Sequence, residues 1–234
     1  MAKTLIEEAS SNMRHQSVDA GDFGSWLAQV QASFRGTDGT VVPCGDCRGC
    51  CTSSQFIHVC PQETRTIVFI PKNLLVKAPG LEAGHMVLGF SSDGSCPMFL
   101  DNMCSIYEHR PKTCCDYDCR VFAAAGLDAG GQEKGQINKR VRAWQFTYSA
   151  ERDSDTHHAI KAAAKFIQDQ RASFPGGRAP IAPGDIAVLA IKVCSVFLAP
   201  KVAICAPAEI AAAIIRASRE FEMEHATLQR RFKG

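Results

Sequence analysis

Apolar side chains recur every three to four positions in four stretches of the chain, and each stretch reads as a helix buried along one face. In GDFGSWLAQVQASFRG, Phe23, Trp26, Leu27, Val30 and Phe34 share a face, and Gly36 ends the run. In SDTHHAIKAAAKFIQDQR, Ile160, Ala163, Ala164 and Ile167 point inward, with Ser154 or Asp155 as the expected N-cap. APGDIAVLAIKVCSVFLAP makes a third helix, with Asp185 near its start and Pro200 after its end. The fourth, APAEIAAAIIRASREFEMEHATLQRRFKG, has Pro207 in its first turn and a stripe of Ile210, Ile214, Ala217, Phe221 and Leu228. Its late Arg and Lys residues suit the negative end of the helix dipole. The period drops to two in INKRVRAWQFTY, where Trp144, Phe146 and Tyr148 predict one face of a strand.

Between residues 41 and about 125 neither period holds. Short apolar pieces such as FIHV and TIVFIP sit among Pro, Gly and Asp, which predicts loops and turns held by something other than long elements. The expected fold is mainly α, with an irregular, metal-stabilised cysteine-rich lobe and few short strands. Residues 1–40 form a lead-in and helix, 41–126 the cysteine segment, and 127–234 a helical part packed with the rest as one domain.

Composition narrows the function. The chain has 234 residues, 46% hydrophobic and 21% charged, enough to bury a core without disulfide staples. A net charge of +2 points to neither nucleic acid nor a membrane surface. The most apolar run, IAVLAIKVCSVFLA, is too short to span a bilayer and carries Lys192. The start, MAKTLIEEASSNMRH, lacks the apolar core of a secretory signal. The expected compartment is therefore the cytoplasm, where clustered cysteines bind metal or do redox work more often than they pair.

Ten of the twelve cysteines lie between Cys44 and Cys119. Cys44-x2-Cys47-x2-Cys50 aims three sulfurs at one point through tight turns eased by Gly45 and Gly49. Thiolates select zinc, copper(I) or iron–sulfur clusters. Zinc sites are usually built from pairs of C-x2-C knuckles, whereas C-x2-C-x2-C is the register of bacterial 4Fe–4S ferredoxins, here without the following x3-C-P. The register favours 4Fe–4S over zinc. Cys50 and Cys51 are adjacent and point apart, so they serve two metals, or one is a bystander, or they form a vicinal disulfide. Cys96, Cys104, Cys114 and Cys119 are too widely spaced to close a site alone and read as the far walls of the first group. Arg48, Arg110, Lys112 and Arg120 either offset the thiolate charge or are solvated. Cys194 and Cys205 lie on apolar helices and read as buried, inert cysteines.

CGDCRGCCTSSQFIHV and GSCPMFLDNMCSIYEHRPKTCCDYDCRVFAAAG resemble the YkgJ-type cysteine-cluster proteins over roughly residues 40–126. The resemblance implies zinc or iron chelation and, carried over by position, the ligands Cys44, Cys47, Cys50, Cys51, Cys96, Cys104, Cys114 and Cys119. The family has arginine after the cysteine matching Cys114, where this chain has Cys115, and Cys60 also lies outside the pattern. Flagellin lysine methylases carry a similar cluster, a catalytic precedent by analogy. In SIYEHRP, Ile106 and Tyr107 are expected to pack, and Glu108 and Arg110 to pair or to orient backbone near the site.

Other signals are weaker. Adjacent His157 and His158 face apart and default to solvent. His58, His85 and His109 lie in the cysteine segment but are not needed as ligands beside so many thiols. Asp116 and Asp118 read as turn or surface carboxylates. GLDAGGQEKG lacks a P-loop ending and reads as a loop, and the basic KRVR and QRRFK runs read as solvated faces. The expected function is a cysteine-ligated metal-binding protein whose partner is a metal ion or cluster, in one or two centres, 4Fe–4S ahead of zinc. The alternatives are a cluster-dependent enzyme, methylase-like or redox, and a zinc-stabilised interaction module. The sequence names no protein partner.

Overall fold

The computed structural model of the protein describes residues 17–36, 39–199 and 205–232. The lead-in before residue 17 and Pro200 lie outside the described residues, as do the side chains of Leu228 and of the QRRFK run. β1 (Val18–Asp22) leads directly into α1 (Phe23–Phe34). Asp22 forms the joint. Its Oδ1 accepts the Ser25 amide at 2.9 Å, capping the helix, and its Oδ2 accepts the Ser149 hydroxyl at 2.6 Å. Phe23, Trp26 and Val30 are buried, as the helical period requires.

The cysteine segment is built of small pieces. β2 (Ile57–Val59), α2 (Thr64–Phe69), β3 (Leu75–Lys77) and β4 (Met86–Leu88) follow one another, and the strands form an antiparallel sheet in the order β2-β4-β3. β5 (Phe99–Leu100) and β6 (Met103–Cys104) make a hairpin through Asp101 and Asn102, both at positive φ as a tight two-residue turn demands. α3 (Lys112–Asp116) and α4 (Arg120–Ala125) close the segment.

α5 (Gly135–Ala143) precedes β7 (Trp144–Thr147), which pairs parallel with β1 with a bulge before Gly21. α6 (Glu151–Asp169), α7 (Pro183–Val193), α8 (Ser195–Leu198) and α9 (Pro207–Phe232) complete the chain. The alternating strand expected in INKRVRAWQFTY is therefore mostly helix. Ile137 and Val141, one turn apart, are both buried, and only Trp144–Thr147 is extended. α6 starts earlier than expected: Asp153 Oδ2 accepts the Ala150 amide at 3.1 Å, and Ser154 and Asp155 sit inside the helix. The third expected helix is two, α7 and α8, divided at Cys194.

The architecture is mainly α with few short strands. One large apolar core joins α1, α4, α5, α6, α7 and α9, with Phe23, Ile160, Ile167, Ile186, Ile191 and Ile214 among its fully buried side chains. A second, much smaller core lies under the three-stranded sheet: Ile57, Val59, Ile70, Leu88, Met98 and Ile106, flanked by Cys96, Cys104 and Cys114. A core of that size is of the kind that small folds supplement with a metal or another staple. Among the described residues no helix is long and apolar enough to cross a membrane.

Candidate metal centre

The first cysteine group lies on two consecutive turns, closed by the Cys47 amide to the Cys44 carbonyl at 3.0 Å and the Cys51 amide to the Arg48 carbonyl at 2.9 Å. Arg48 braces them: its Nη1 donates to the carbonyls of Gly45 and Cys47, and its Nε to the carbonyl of Asn102 at 3.2 Å, tying the loop to the tip of the β5–β6 hairpin. α5 backs the loop. Arg140 Nη2 donates to the Cys44 carbonyl at 3.0 Å, and Gly49 lies so close to Gln136 that a Cβ would meet its backbone at 3.2 Å.

The second group is brought to the first by backbone. The Cys96 amide donates to the Cys51 carbonyl, and the Ser54 amide to the Gly94 carbonyl, each at 2.8 Å. The β5–β6 pairing sets Cys104 opposite Phe99. Cys114 sits in the first turn of α3, its amide bonded to the Pro111 carbonyl at 2.8 Å, and Glu63 Oε1 accepts the Lys112 amide at 2.6 Å. Cys119 caps α4, and the Trp144 indole N–H donates to its sulfur at 3.2 Å.

The predicted ligands act on one another electrostatically. Cys44 feels the charges of Cys50 and Cys47, and Cys119 those of Cys44 and Cys47. Cys114 feels Cys50, Cys96 and Cys104, and Cys51 feels Cys50, Cys96 and Cys104. Cys50 acts on Cys44, Cys51 and Cys114. Burial first, then these like charges, push Cys114 up to about 12; burial and the nearby Asp118, Cys44 and Cys47 charges also bring Cys119 to about 12, against a hydrogen bond from Trp144. Cys51 is raised by donating its thiol proton to Cys50, which is lowered for the same reason. Eight thiolates gathered this way need a cation to be ionised together. Among the described residues, no three of these sulfurs lie within 4.8 Å of one another.

Of the extra cysteines, Cys115 adds its charge to those acting on Cys114. Cys115 turns its thiol to the Arg110 carbonyl at 3.8 Å, and Cys60 stands beside His58. None of the twelve cysteines is in a disulfide, the vicinal pair included. Cys194 is buried as expected, whereas Cys205 is exposed.

Several polar residues differ from expectation. Asp118 is not a surface carboxylate. It is buried, pairs with Arg120 at 2.7 Å and accepts the Trp26 indole N–H at 3.0 Å. Arg120 is thereby neutralised, and it also holds the carbonyls of Ala20 and Val41, linking β1 to the strand of chain entering the cysteine loop. Arg110 lies 4.0 Å over the ring of Tyr107, which is exposed rather than packed, and does not pair with Glu108. His157 is buried, stacks on Phe23 at 4.7 Å and is bonded to the Tyr148 hydroxyl at 2.7 Å; His158 is exposed. Adjacent residues on a helix do face apart, but one of those faces meets the core. In the KRVR run Val141 is buried and Arg140 serves the cysteine loop.

Residues 43–142 match the model of the CxxCxxCC family, described as "Putative zinc- or iron-chelating domain", the family that includes the YkgJ-type proteins. The match extends past the quoted motifs to the end of α5, the helix that backs the cysteine loop. No curated protein and no solved structure matches the chain.

Proposed function

From the zinc- or iron-chelating domain that residues 43–142 carry, we propose that the protein holds two four-cysteine metal centres, of the 4Fe–4S kind ahead of zinc. One is assigned to Cys44, Cys47, Cys50 and Cys119, the other to Cys51, Cys96, Cys104 and Cys114. The observation that carries this reading is the bond from the Cys96 amide to the Cys51 carbonyl, which seats the second cysteine group beside the Cys44–Cys51 loop and so brings eight thiols to one region.

The donor set fits the group. Eight soft sulfurs suit iron or zinc and not magnesium or calcium. The C-x2-C-x2-C register is that of ferredoxins. Four thiolates around one zinc ion at 2.3 Å stand about 3.8 Å apart, whereas a cluster spreads its ligands further. An iron–sulfur centre supplies one-electron transfer when bound; a zinc centre supplies a cross-link. The chain's own residues position and tune. Trp144 and the amides of Met98 and Phe99 face Cys119 and Cys96, and donors to sulfur favour its ionised form. Arg48 and Arg140 fix the loop backbone. The reading places the protein in the cytoplasm, where thiols stay reduced.

The test is iron, zinc and acid-labile sulfide content of protein purified without oxygen. Iron with matching sulfide, enough for two clusters, is expected. Stoichiometric zinc without sulfide replaces the cluster reading with a structural one, and neither metal sinks both.

A further inference from the structure

A different donor set lies on the small sheet. Side chains two positions apart on a strand share a face. His58 and Cys60 therefore point the same way from β2 and the residue after it, opposite to Ile57 and Val59, which face the core. The register pairs Ile57 with Leu88, His58 with Val87 and Val59 with Met86, so its continuation sets Cys60 across from His85 on that same face. The side chains meet accordingly. His58 Nε2 is 2.9 Å from His85 Nδ1, the rings are parallel within 5°, and Cys60 Sγ is 3.9 Å from His58 Nδ1. One ligand atom from each residue lies within 4.8 Å of the other two, and all three residues are half-buried.

We propose that His58, Cys60 and His85 form a separate binding site for a single divalent cation of the zinc class. Two imidazoles and a thiolate are a borderline-soft set that suits zinc or its first-row neighbours and not magnesium or calcium. With Zn–N near 2.0–2.1 Å and Zn–S near 2.3 Å, tetrahedral donors stand about 3.3–3.5 Å apart. Small side-chain rotations reach that from the present spacing. The backbone beneath is fixed. Glu63 Oε2 accepts the Cys60 amide at 2.7 Å, the His58 carbonyl accepts the Thr113 hydroxyl at 2.7 Å, and the His85 carbonyl accepts the Ala78 amide at 2.9 Å. Glu63 also hydrogen-bonds the Cys60 thiol, and the ligand atoms that lie within 4.8 Å of one another come from three residues. Three ligands leave a tetrahedral position for water or an incoming group, the pattern of reactive rather than purely structural zinc. The charges that act on the Cys60 thiol come from Glu63 and Lys112, which sets the site apart from the eight-sulfur group. The inference does not rest on the nature of those centres.

The test is cobalt(II) titration of protein that retains its resident metal, cobalt serving as a coloured stand-in for zinc. Wild type is expected to bind one equivalent beyond the resident metal, with a thiolate-to-cobalt charge-transfer band and four-coordinate visible absorption. One zinc already held and removable by chelator, then replaced by cobalt, is the same result. His58→Gln and His85→Gln are expected to weaken that equivalent by at least the roughly 10–100-fold that losing even an outer partner costs, with resident iron, zinc and sulfide unchanged. Cys60→Ser is expected to abolish the charge-transfer band. No extra equivalent in wild type, or unchanged titrations in all three variants, overturns the proposal and leaves an imidazole hydrogen bond. If a histidine variant also sheds resident metal, the one-atom change Cys60→Ser decides: an intact band sinks the site.

Discussion

The amide of Cys96 donates to the carbonyl of Cys51 at 2.8 Å, so two cysteines far apart in the chain are joined directly through backbone. That bond seats the second cysteine group against the first. It also gives the two-centre assignment a sharp consequence. Cys104→Ser and Cys119→Ser are each expected to remove about half of the metal held by the eight cysteines, and the pair of substitutions all of that metal. Metal analysis on the three proteins checks this. A single substitution that removes all of that metal means one shared centre.

Gly49 presses its backbone on Gln136, and a methyl there would meet backbone atoms at 3.2 Å. Gly49→Ala is expected to cost about 1–3 kcal/mol and to lower metal content, because Cys50 and Cys51 follow directly. Denaturant melts with parallel metal assays read both. Full loading with unchanged stability would show that α5 yields freely.

The Asp118–Arg120 pair is buried and satisfied by Trp26, Ala20 and Val41. Arg120→Met leaves a buried carboxylate alone and is expected to cost about 3–5 kcal/mol in urea unfolding. Replacing both charges, Asp118→Leu with Arg120→Met, is expected to cost less than the single change. A double variant as unstable as the sum of the singles would contradict this.

Burial, and then the Lys161 and His158 charges, lowers His157 from 6.5 to about 4. The folded state therefore holds it neutral, while the unfolded chain takes up a proton near 6.5. Its contribution is present above 6.5 and is lost as pH falls from there through 4, by about 3 kcal/mol in all. The difference in stability between wild type and His157→Gln, measured by urea at pH 4, 5, 6 and 7, is expected to shrink over that window. Taking a difference cancels acid effects on the metal centres. A constant difference would mean that His157 is charged inside the fold.

The small core under the three-stranded sheet is bordered by Cys96, Cys104 and Cys114. Chelation or oxidative loss of the resident metal is expected to open β2, β3 and β4 to hydrogen exchange well before α6 and α7, which belong to the large core. Equal exchange throughout would show that the sheet stands without metal.

Helices with a wide apolar stripe were legible in the sequence because burial repeats along them: Ile160, Ala163, Ala164 and Ile167 are all in the core. The short elements were not. α5 carries Ile137 and Val141 as its only buried apolar contacts, and alternation with Trp144 and Phe146 hides that single turn. β1 has one fully buried residue, Ala20, and exists because β7 lies beside it. The opening cysteine loop was legible from spacing, but its ties to the second group needed the hairpin at Asp101 and Asn102 and the Arg48 brace. Asp118 and His157 look polar in sequence, and only the fold shows that Arg120 and Trp26 satisfy the buried Asp118 and that Tyr148 meets Nδ1 of the buried His157. The His58, Cys60 and His85 set was invisible for another reason: its third member arrives from a different strand, through a register no local motif encodes.

Cys50 and Cys51 are linked by one peptide unit, about 3.8 Å from Cα to Cα, and the Cys51 thiol is hydrogen-bonded to the Cys50 sulfur. Economy of this kind concentrates vulnerability. Cys50 is the exposed member of the eight, and its thiol is held below its usual range by Cys51. In the proposed arrangement an oxidant that reaches it strikes a thiol hydrogen-bonded to a ligand of the other centre, so one exposed residue opens a route to both.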